Sequence, residues 1–490
     1  MSENNKAFKA GVWYTFGNFL LKASAFITMP IFARVLSVDE MGDFSNFTSW
    51  LSILMIITTF DLYHSLEVAR FDYKDDIDDF ISSNLFQGML ITTICFSVIF
   101  IFRKTFFPIL SIGVWELLVI YLYCLFYPSL QMFQLKCRID YKYKSSVIIS
   151  IISSISSTIL SLILVINMSN HYVGRYIGYS IPAIIVNVCL FFYLIIKSNN
   201  ISPKKYWKYA LVISFPMIWH TLAGNVLSTS DRVMIRYFLG RNDVALYTIP
   251  YSCASIVQLL WISMNSAWSP WALEQMDKDN YDGINKALKP YALFFGAVVF
   301  AFLLVSPEVL YFMGGKAYMS ALKVIPPVMI SYVFNFCYSF YANMELYEKK
   351  QVYIATSTGL AAFLNVILNA IFIPFLGYVV AAYTTLIGYI ALFFLHFYVC
   401  KRINKSNLIN NKFLFVFLGI SLLTLFIMPV LYTLSIIRYI LICVLIVISI
   451  IILIILRKEI IYLIKYKSSL QINNKVSIFL KRFKHEKTRN

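Results

Sequence analysis

Apolar residues in this chain fall into unbroken runs of about 20, separated by short polar stretches. A run of that length is what an α-helix needs to cross about 30 Å of hydrocarbon. The first seven predicted spans are 10–33, 43–63, 82–102, 114–135, 146–167, 174–196 and 209–230. The rest are 244–266, 288–306, 325–344, 351–373, 377–400, 413–433 and 436–456, about 14 in all. The seventh is the least apolar, since His220, Asn225, Ser228, Thr229 and Ser230 lie in it. The last two are the most apolar, and Leu441–Leu456 carries no charge. Trp268-Ser269-Pro270-Trp271 is expected to close the eighth span, with proline stopping the helix and tryptophan anchoring it at the interface.

Composition agrees with the pattern. The chain is 60% hydrophobic and 13% charged, with a mean hydropathy of +0.73 over 490 residues. Soluble domains carry about 25% charged residues, so a soluble multidomain reading is excluded. The eight cysteines are scattered, mostly inside apolar runs, and are expected to act as small buried hydrophobes. Ala23-Ser24-Ala25 looks like a signal-peptidase site, but Lys22 interrupts the run before it and the run continues through Ile31. The first span is therefore expected to be retained.

Loop charge sets the expected orientation. With the N-terminus inside, inside segments hold 31 of the 42 Lys and Arg, outside segments hold 10, and Lys22 lies in the first span. Both termini are then cytoplasmic. The basic tail 457–490 suits attraction to anionic lipid, and no pattern argues for nucleic acid.

The chain also repeats itself. Val35-Leu36-Ser37-Val38-Asp39-Glu40-Met41-Gly42-Asp43-Phe44 follows the first span. Phe238-Leu239-Gly240-Arg241-Asn242-Asp243-Val244-Ala245-Leu246-Tyr247 follows the seventh, 203 residues later. Six spans separate the copies, so both run the same way through the membrane, a parallel repeat. The predicted organisation is a cytoplasmic N-terminus (1–9), a lobe of helices 1–6 (10–196), a cytoplasmic linker (197–208) and a lobe of helices 7–12 (209–400). Two further helices (413–456) and the basic tail (457–490) follow. Two such lobes around a central cavity suit alternating access.

Pro30-Ile31-Phe32-Ala33-Arg34-Val35-Leu36-Ser37 with Met41-Gly42-Asp43-Phe44 resembles the N-terminus of bacterial oligosaccharide flippases. These are the Wzx-type members of the multidrug/oligosaccharidyl-lipid/polysaccharide exporter (MOP) superfamily. Phe60–Arg70, Ser230-Asp231-Arg232-Val233-Met234-Ile235, Leu239-Gly240, Val244-Ala245-Leu246-Tyr247 and Pro374-Phe375-Leu376-Gly377-Tyr378 continue the likeness over about residues 8–400. One departure is Phe60-Asp61-Leu62, where the family usually has a glycine-rich stretch. The resemblance implies an undecaprenyl-diphosphate-linked oligosaccharide as substrate, moved from the inner to the outer leaflet. The surface glycan would be O-antigen, capsule or exopolysaccharide, with a polysaccharide polymerase and chain-length machinery as possible partners.

Charges inside spans are costly, about 2.5–3.5 kcal/mol on insertion scales, and so mark candidate sites. Lys22 lies mid-span with Asn18 one turn before it; at the repeat offset they correspond to Thr221 and Asn225. Both lobes thus present a polar stripe at an equivalent place, as a shared cationic cavity requires. Arg232 and Arg236, at i and i+4, can grip phosphate oxygens; the alternative is an Asp231–Arg232 anchor at the outer surface. His220 is a further cavity candidate. Asp61, His64, Glu67 and Arg70, spaced by three, are expected along one side of a helix at the cytoplasmic mouth, with Arg70 meeting the incoming headgroup. Asp61, Glu67 and Asp231 are candidates for coupling to a proton or sodium gradient. No metal, cofactor or catalytic residue is expected.

Two other classes compete. A multidrug or cation antiporter of the same superfamily needs buried carboxylates, whereas the first span carries Lys22 and the cytoplasmic half few intramembrane acids. A membrane polymerase or ligase needs a large outer loop, which this sequence lacks. No nucleotide-binding loop is present, so a direct ATP-driven step is not expected.

Overall fold

The computed structural model describes residues 26–140, 142–198, 203–403, 408–448 and 450–451. Helices account for all the regular structure among them. In order they are α1 (Phe26–Val35), α2 (Val38–Thr59), the 3-10 turn η1 (Leu62–Ser65), α3 (Leu66–Asp72), α4 (Ile77–Ile101), α5 (Arg103–Leu110) and α6 (Val114–Ile139). Next come α7 (Tyr143–Asn167), α8 (His171–Ile196), α9 (Pro203–Phe238), α10 (Arg241–Ala254), α11 (Ile256–Asp277) and α12 (Tyr281–Gly314). The chain ends in η2 (Lys316–Val324), α13 (Ile325–Tyr347), α14 (Gln351–Leu376), α15 (Val379–Arg402), α16 (Asn411–Thr433) and α17 (Ser435–Ile448).

Among the described residues, eleven helices are long and apolar enough to cross a membrane, or twelve with the bent pair α2–α3 taken as one. The shorter apolar helices α1 and α17 lie where the first and fourteenth spans were expected. The protein is an all-α polytopic membrane protein, as the apolar runs predict. It divides into two units, Met1–Ile427 and Met428–Asn490, and the boundary falls within α16. The second unit contains the last turns of α16 and helix α17.

The repeat survives in the helix starts. α2 begins at Val38 and α10 at Arg241, 203 residues on, while α4 begins at Ile77 and α12 at Tyr281, 204 on. The start of α2 is a capping box: Ser37 accepts from the Glu40 amide, and the Glu40 carboxylate takes the Ser37 amide at 2.8 Å. That arrangement satisfies two of the amides left open at a helix N-terminus.

Three expectations about spans are corrected. The second span is not one helix: Phe60 (φ 50°) and Asp61 (φ 45°) are both left-handed, and α2 and the following helix meet at 51°. The eighth span does not end at Pro270. α11 runs through it to Asp277, and Trp268 is buried, stacked on Tyr291 with ring centres 4.5 Å apart. A membrane helix tolerates proline when neighbouring helices shield the freed backbone group. The seventh span is much longer than 209–230, because α9 has 36 residues, about 54 Å of helix. Its first turns, within the expected linker, pack against the first repeat. Trp207 Nε1 donates to Ser83 O at 2.9 Å, and Tyr209 Oη to Asp72 at 2.5 Å.

Within the first repeat, α8 packs along α6 and α7; within the second, α15 packs along α13 and α14, and α14 along α9. Aromatic clusters fill the cores, Phe44, Phe47 and Tyr176 in one and Phe295, Phe336 and Phe340 in the other.

Candidate functional site: a cationic cavity between the repeats

The two repeats meet where α2 lies against α9 and α10. A Cβ built on Gly42 would stand 2.0 Å from the carbonyl oxygen of Arg241, so only glycine permits this backbone approach. One turn along, Ser45 Oγ and Thr248 Oγ1 share a hydrogen bond of 2.6 Å. Asp43 forms ion pairs with Arg236 at 3.1 Å and Arg241 at 3.5 Å. Arg34 at the end of α1 donates to Phe312 O in α12 at 2.8 Å. These ties close one end of the interface, on the side that loop charge assigns to the exterior.

Beneath them is a cavity of about 430 Å³. α1, α2, α8, α9 and α10 build its walls. The wall is rich in hydroxyls, among them Ser45, Thr48, Ser49, Ser52, Thr229 and Thr248. It carries two guanidinium groups, Arg175 from the first repeat and Arg232 from the second. A cavity of about 290 Å³ adjoins it and shares Met29 and Ser252.

The two arginines are held differently. The Arg175 guanidinium carbon lies 3.6 Å from the ring centre of Phe32 and 4.2 Å from that of Phe44. Its Nε has no hydrogen-bond partner, and among the described residues it pairs with no carboxylate. Aromatic faces offset part of a buried cation's cost and leave its donors open to an anion. Arg232 Nη1 donates to Ser228 O at 2.8 Å, and its guanidinium carbon lies 4.3 Å from the Tyr251 ring. Asp231 is 1% exposed behind it, with Oδ1 3.8 Å from Arg232 Nη1 and Oδ2 taking a hydrogen bond from Tyr247. This acid is already occupied, so it neutralises Arg232 only in part.

The sequence candidates separate accordingly. Asn18 and Lys22 lie outside the described residues, as does the side chain of His220. Arg232 lines the cavity, whereas Arg236, one turn on, is committed to Asp43; they do not form one grip. The buried Asp231–Arg232 pair is not a surface anchor. Asn225 bridges the repeats, with Oδ1 accepting from Thr229 at 2.9 Å and from Ser52 at 3.4 Å.

The expected polar side of the second span is split by the helix break. Asp61 is buried, whereas Glu67 and Arg70 are exposed, and Arg70 lies over Phe71. Breaking the helix between Thr59 and Leu62 discards the spacing of three that put these side chains together. Asp61 faces the hydroxyls of Tyr63 and of Thr221 from α9, and its Oδ2 has no hydrogen-bond partner.

Sequence reasoning missed Arg175 and a buried pair, Glu345 with His396. The signal was available: Arg175 and His396 stand inside apolar runs, and the rule that singled out Lys22 applies equally to them.

Comparison with known proteins agrees with this architecture. The chain is 23% identical over 472 residues to an uncharacterised membrane protein, MJ1068, of Methanocaldococcus jannaschii, covering 85% of this chain and 88% of that one. It is 20% identical over 419 residues to an Lsg locus protein of Haemophilus influenzae, covering 82% and 100%. Among solved structures, it superposes on the lipid II flippase MurJ in an inward closed conformation with a TM-score of 0.67 at 17% identity, over 92% of this chain and 100% of that one. An inward-facing MATE family multidrug resistance transporter of the MOP superfamily gives 0.58 at 13% identity, over 79% and 98%. At such identities the likeness establishes a shared fold. The polysaccharide biosynthesis protein family model matches residues 8–276, more than half of the chain. The chain thus belongs to the polysaccharide biosynthesis protein family and carries the MOP-superfamily transporter fold.

Proposed function

We propose that this protein is a flippase for undecaprenyl-diphosphate-linked oligosaccharide repeat units. It would take them from the cytoplasmic to the outer leaflet of a bacterial inner membrane, with both termini cytoplasmic, for the synthesis of O-antigen, capsule or exopolysaccharide. The observation that carries the reading is the cavity wall, where each repeat contributes one guanidinium among a field of hydroxyls and Arg175 lacks an anionic partner. A diphosphate leaving water needs charge-assisted donors in return, because an unpaired buried charge is very costly. Hydroxyls suit the sugars next to it. The volume, about 430 Å³, fits a diphosphate with its first sugars, while the lipid tail stays in the bilayer. Lys22, expected within the first span, would add a third cation to this cavity.

A cationic drug is a poor match to a wall carrying two arginines, which places the antiporter reading second. Turnover would draw on a proton or sodium gradient, with buried Asp61 as the coupling candidate favoured over exposed Glu67. A polysaccharide polymerase would take the product on the outer side.

The test is flipping of a fluorescent undecaprenyl-diphosphate disaccharide in liposomes containing the purified protein. A hydrogen bond to a charged group contributes about 1.5–3 kcal/mol. Arg175→Ala and Arg232→Ala should therefore each weaken probe binding by about 10- to 100-fold, and Arg175→Lys by less. Wild-type flipping by the double alanine variant would end the reading.

A further inference from the structure

Glu345 in α13 and His396 in α15 are both 0% exposed, and His396 Nδ1 lies 2.9 Å from Glu345 Oε1. Glu345 Oε2 and His396 Nε2 have no hydrogen-bond partner. Among the described residues no lysine, arginine or further acid pairs with either group. We propose that Glu345 and His396 form a proton-binding site whose loading and release drive the movement of the second repeat.

Charge balance ties the pair to one proton. With one proton shared between them the pair is neutral overall, either as carboxylate and imidazolium or as carboxylic acid and imidazole. Adding a second proton leaves a net +1, and removing the only one leaves a net −1. Either net charge is expensive at two fully buried side chains that pair with no third charged group among the described residues. The neutral pair therefore holds its proton while α13 and α15 are packed. It exchanges the proton with water when they part, a hydrogen ion passing between an imidazole nitrogen or carboxylate oxygen and a water molecule.

The surroundings give such a proton a short route and little competition. Glu345 lies two residues from the end of α13 and His396 six from the end of α15, the end that loop charge assigns to the cytoplasm. Exposed Lys349, Lys350, Lys401 and Arg402 follow at that end, and the Lys350 amide donates to Glu345 O at 2.8 Å. Tyr338 stacks on the imidazole at 5.0 Å. Cys400 of α15 donates to Tyr341 O of α13 and lies within electrostatic reach of Glu345. Tyr341 Oη donates to Asn411 of α16 at 2.7 Å. α11 meets α13 through Ser269 on Asn343, α12 through Tyr291 on Phe336, and α14 meets α15 through Asn369 on Thr384. At the far end of α13, Tyr332 faces Tyr251 of α10, and η2, which carries Lys316 and Lys323, packs against α13. Tyrosine and cysteine side chains are ordinarily uncharged near neutral pH, so Tyr338, Tyr341 and Cys400 add no charge beside the pair.

The test needs no transported lipid, so its failure is separate from failure of the flippase reading. Full-length protein carrying Ser45→Cys and Thr248→Cys is reconstituted in liposomes, and disulfide formation across the interface is measured from about pH 5.5 to 8. Yields are divided by those of the same protein with Glu345→Gln, which cancels the pH dependence of thiol chemistry. The expected ratio changes about fivefold or more across that range. His396→Gln should give the same flat profile as Glu345→Gln, and exchanging the two residues (Glu345→His with His396→Glu) should restore the slope. The protonated-carboxyl infrared band on a pH jump is the second readout, and it should vanish in Glu345→Gln. A wild-type ratio that stays flat, or a His396→Gln ratio that slopes as the wild-type ratio does, would show a purely structural pair and overturn the proposal.

Discussion

Ser45 and Thr248 are 203 residues apart in the chain and joined by a hydrogen bond of 2.6 Å. Each is the eighth residue of its helix, α2 from Val38 and α10 from Arg241. An element that touches its own repeat-equivalent must lie near the axis relating the repeats. The same argument that bonds the two residues in a C2 dimer applies here within one chain. The contact therefore joins the two repeats close to that axis, at the end that loop charge assigns to the exterior.

Opening that contact should be required for turnover. Ser45→Cys with Thr248→Cys is expected to form a disulfide under mild oxidation. Flipping in liposomes should stop on oxidation and return on reduction. Transport at the normal rate by fully cross-linked protein would mean that this interface stays shut throughout the cycle.

Gly42 sets how tightly α2 and α10 can close. The first carbon of any side chain would meet the Arg241 carbonyl at 2.0 Å. Overpacking of this kind typically costs about 1–3 kcal/mol, paid only by the closed interface. Gly42→Ala should lower the yield of the Ser45–Thr248 cross-link by about tenfold and raise labelling of a cysteine at Ser52. An unchanged yield would show that the helices yield without penalty.

Asp43 joins Arg236 and Arg241 at the same end. It is part-buried, so its worth lies between the about 1 kcal/mol of an exposed pair and the about 3 of a buried one. Asp43→Asn should weaken closure, read as a lower cross-link yield. Asp43→Arg with Arg236→Asp should recover part of it. Recovery with no dependence on salt concentration would argue against an electrostatic tie.

Asp61 combines left-handed backbone with a buried, incompletely bonded carboxylate. Asparagine tolerates that backbone and carries no charge, whereas a β-branched residue at positive φ is a genuine outlier. Thermal midpoints in detergent should therefore rank Asp61→Asn at or above wild type and Asp61→Val well below. The Asn variant also separates stability from coupling. If Asp61 carries the gradient response, Asp61→Asn should be stable yet indifferent to the gradient.

Much of this protein was determined by sequence alone. An apolar run long enough to span hydrocarbon has no other low-energy form than a helix, because its backbone groups must bond internally. The all-α membrane class and most of the spans were therefore legible, as was the 203-residue repeat, which a duplicated pattern writes directly into the chain. Arg232 was legible as half of a guanidinium pair spaced i and i+4 after the seventh span, whereas Arg175 was missed, although a charge within a span stands out against apolar neighbours. What only the tertiary structure decided is which partner each polar group has. Arg232 and Arg236 share a helical face by spacing, yet one meets a cavity and the other Asp43, because α2 brings Asp43 against Arg236. The spacing of three from Asp61 to Arg70 has meaning only on an unbroken helix, and two left-handed residues remove it. Glu345 and His396 are 51 residues apart, and only the packing of α13 on α15 makes them a pair. Periodicity reports local geometry along one helix, whereas the partner of a buried charge is set by how helices distant in sequence are packed.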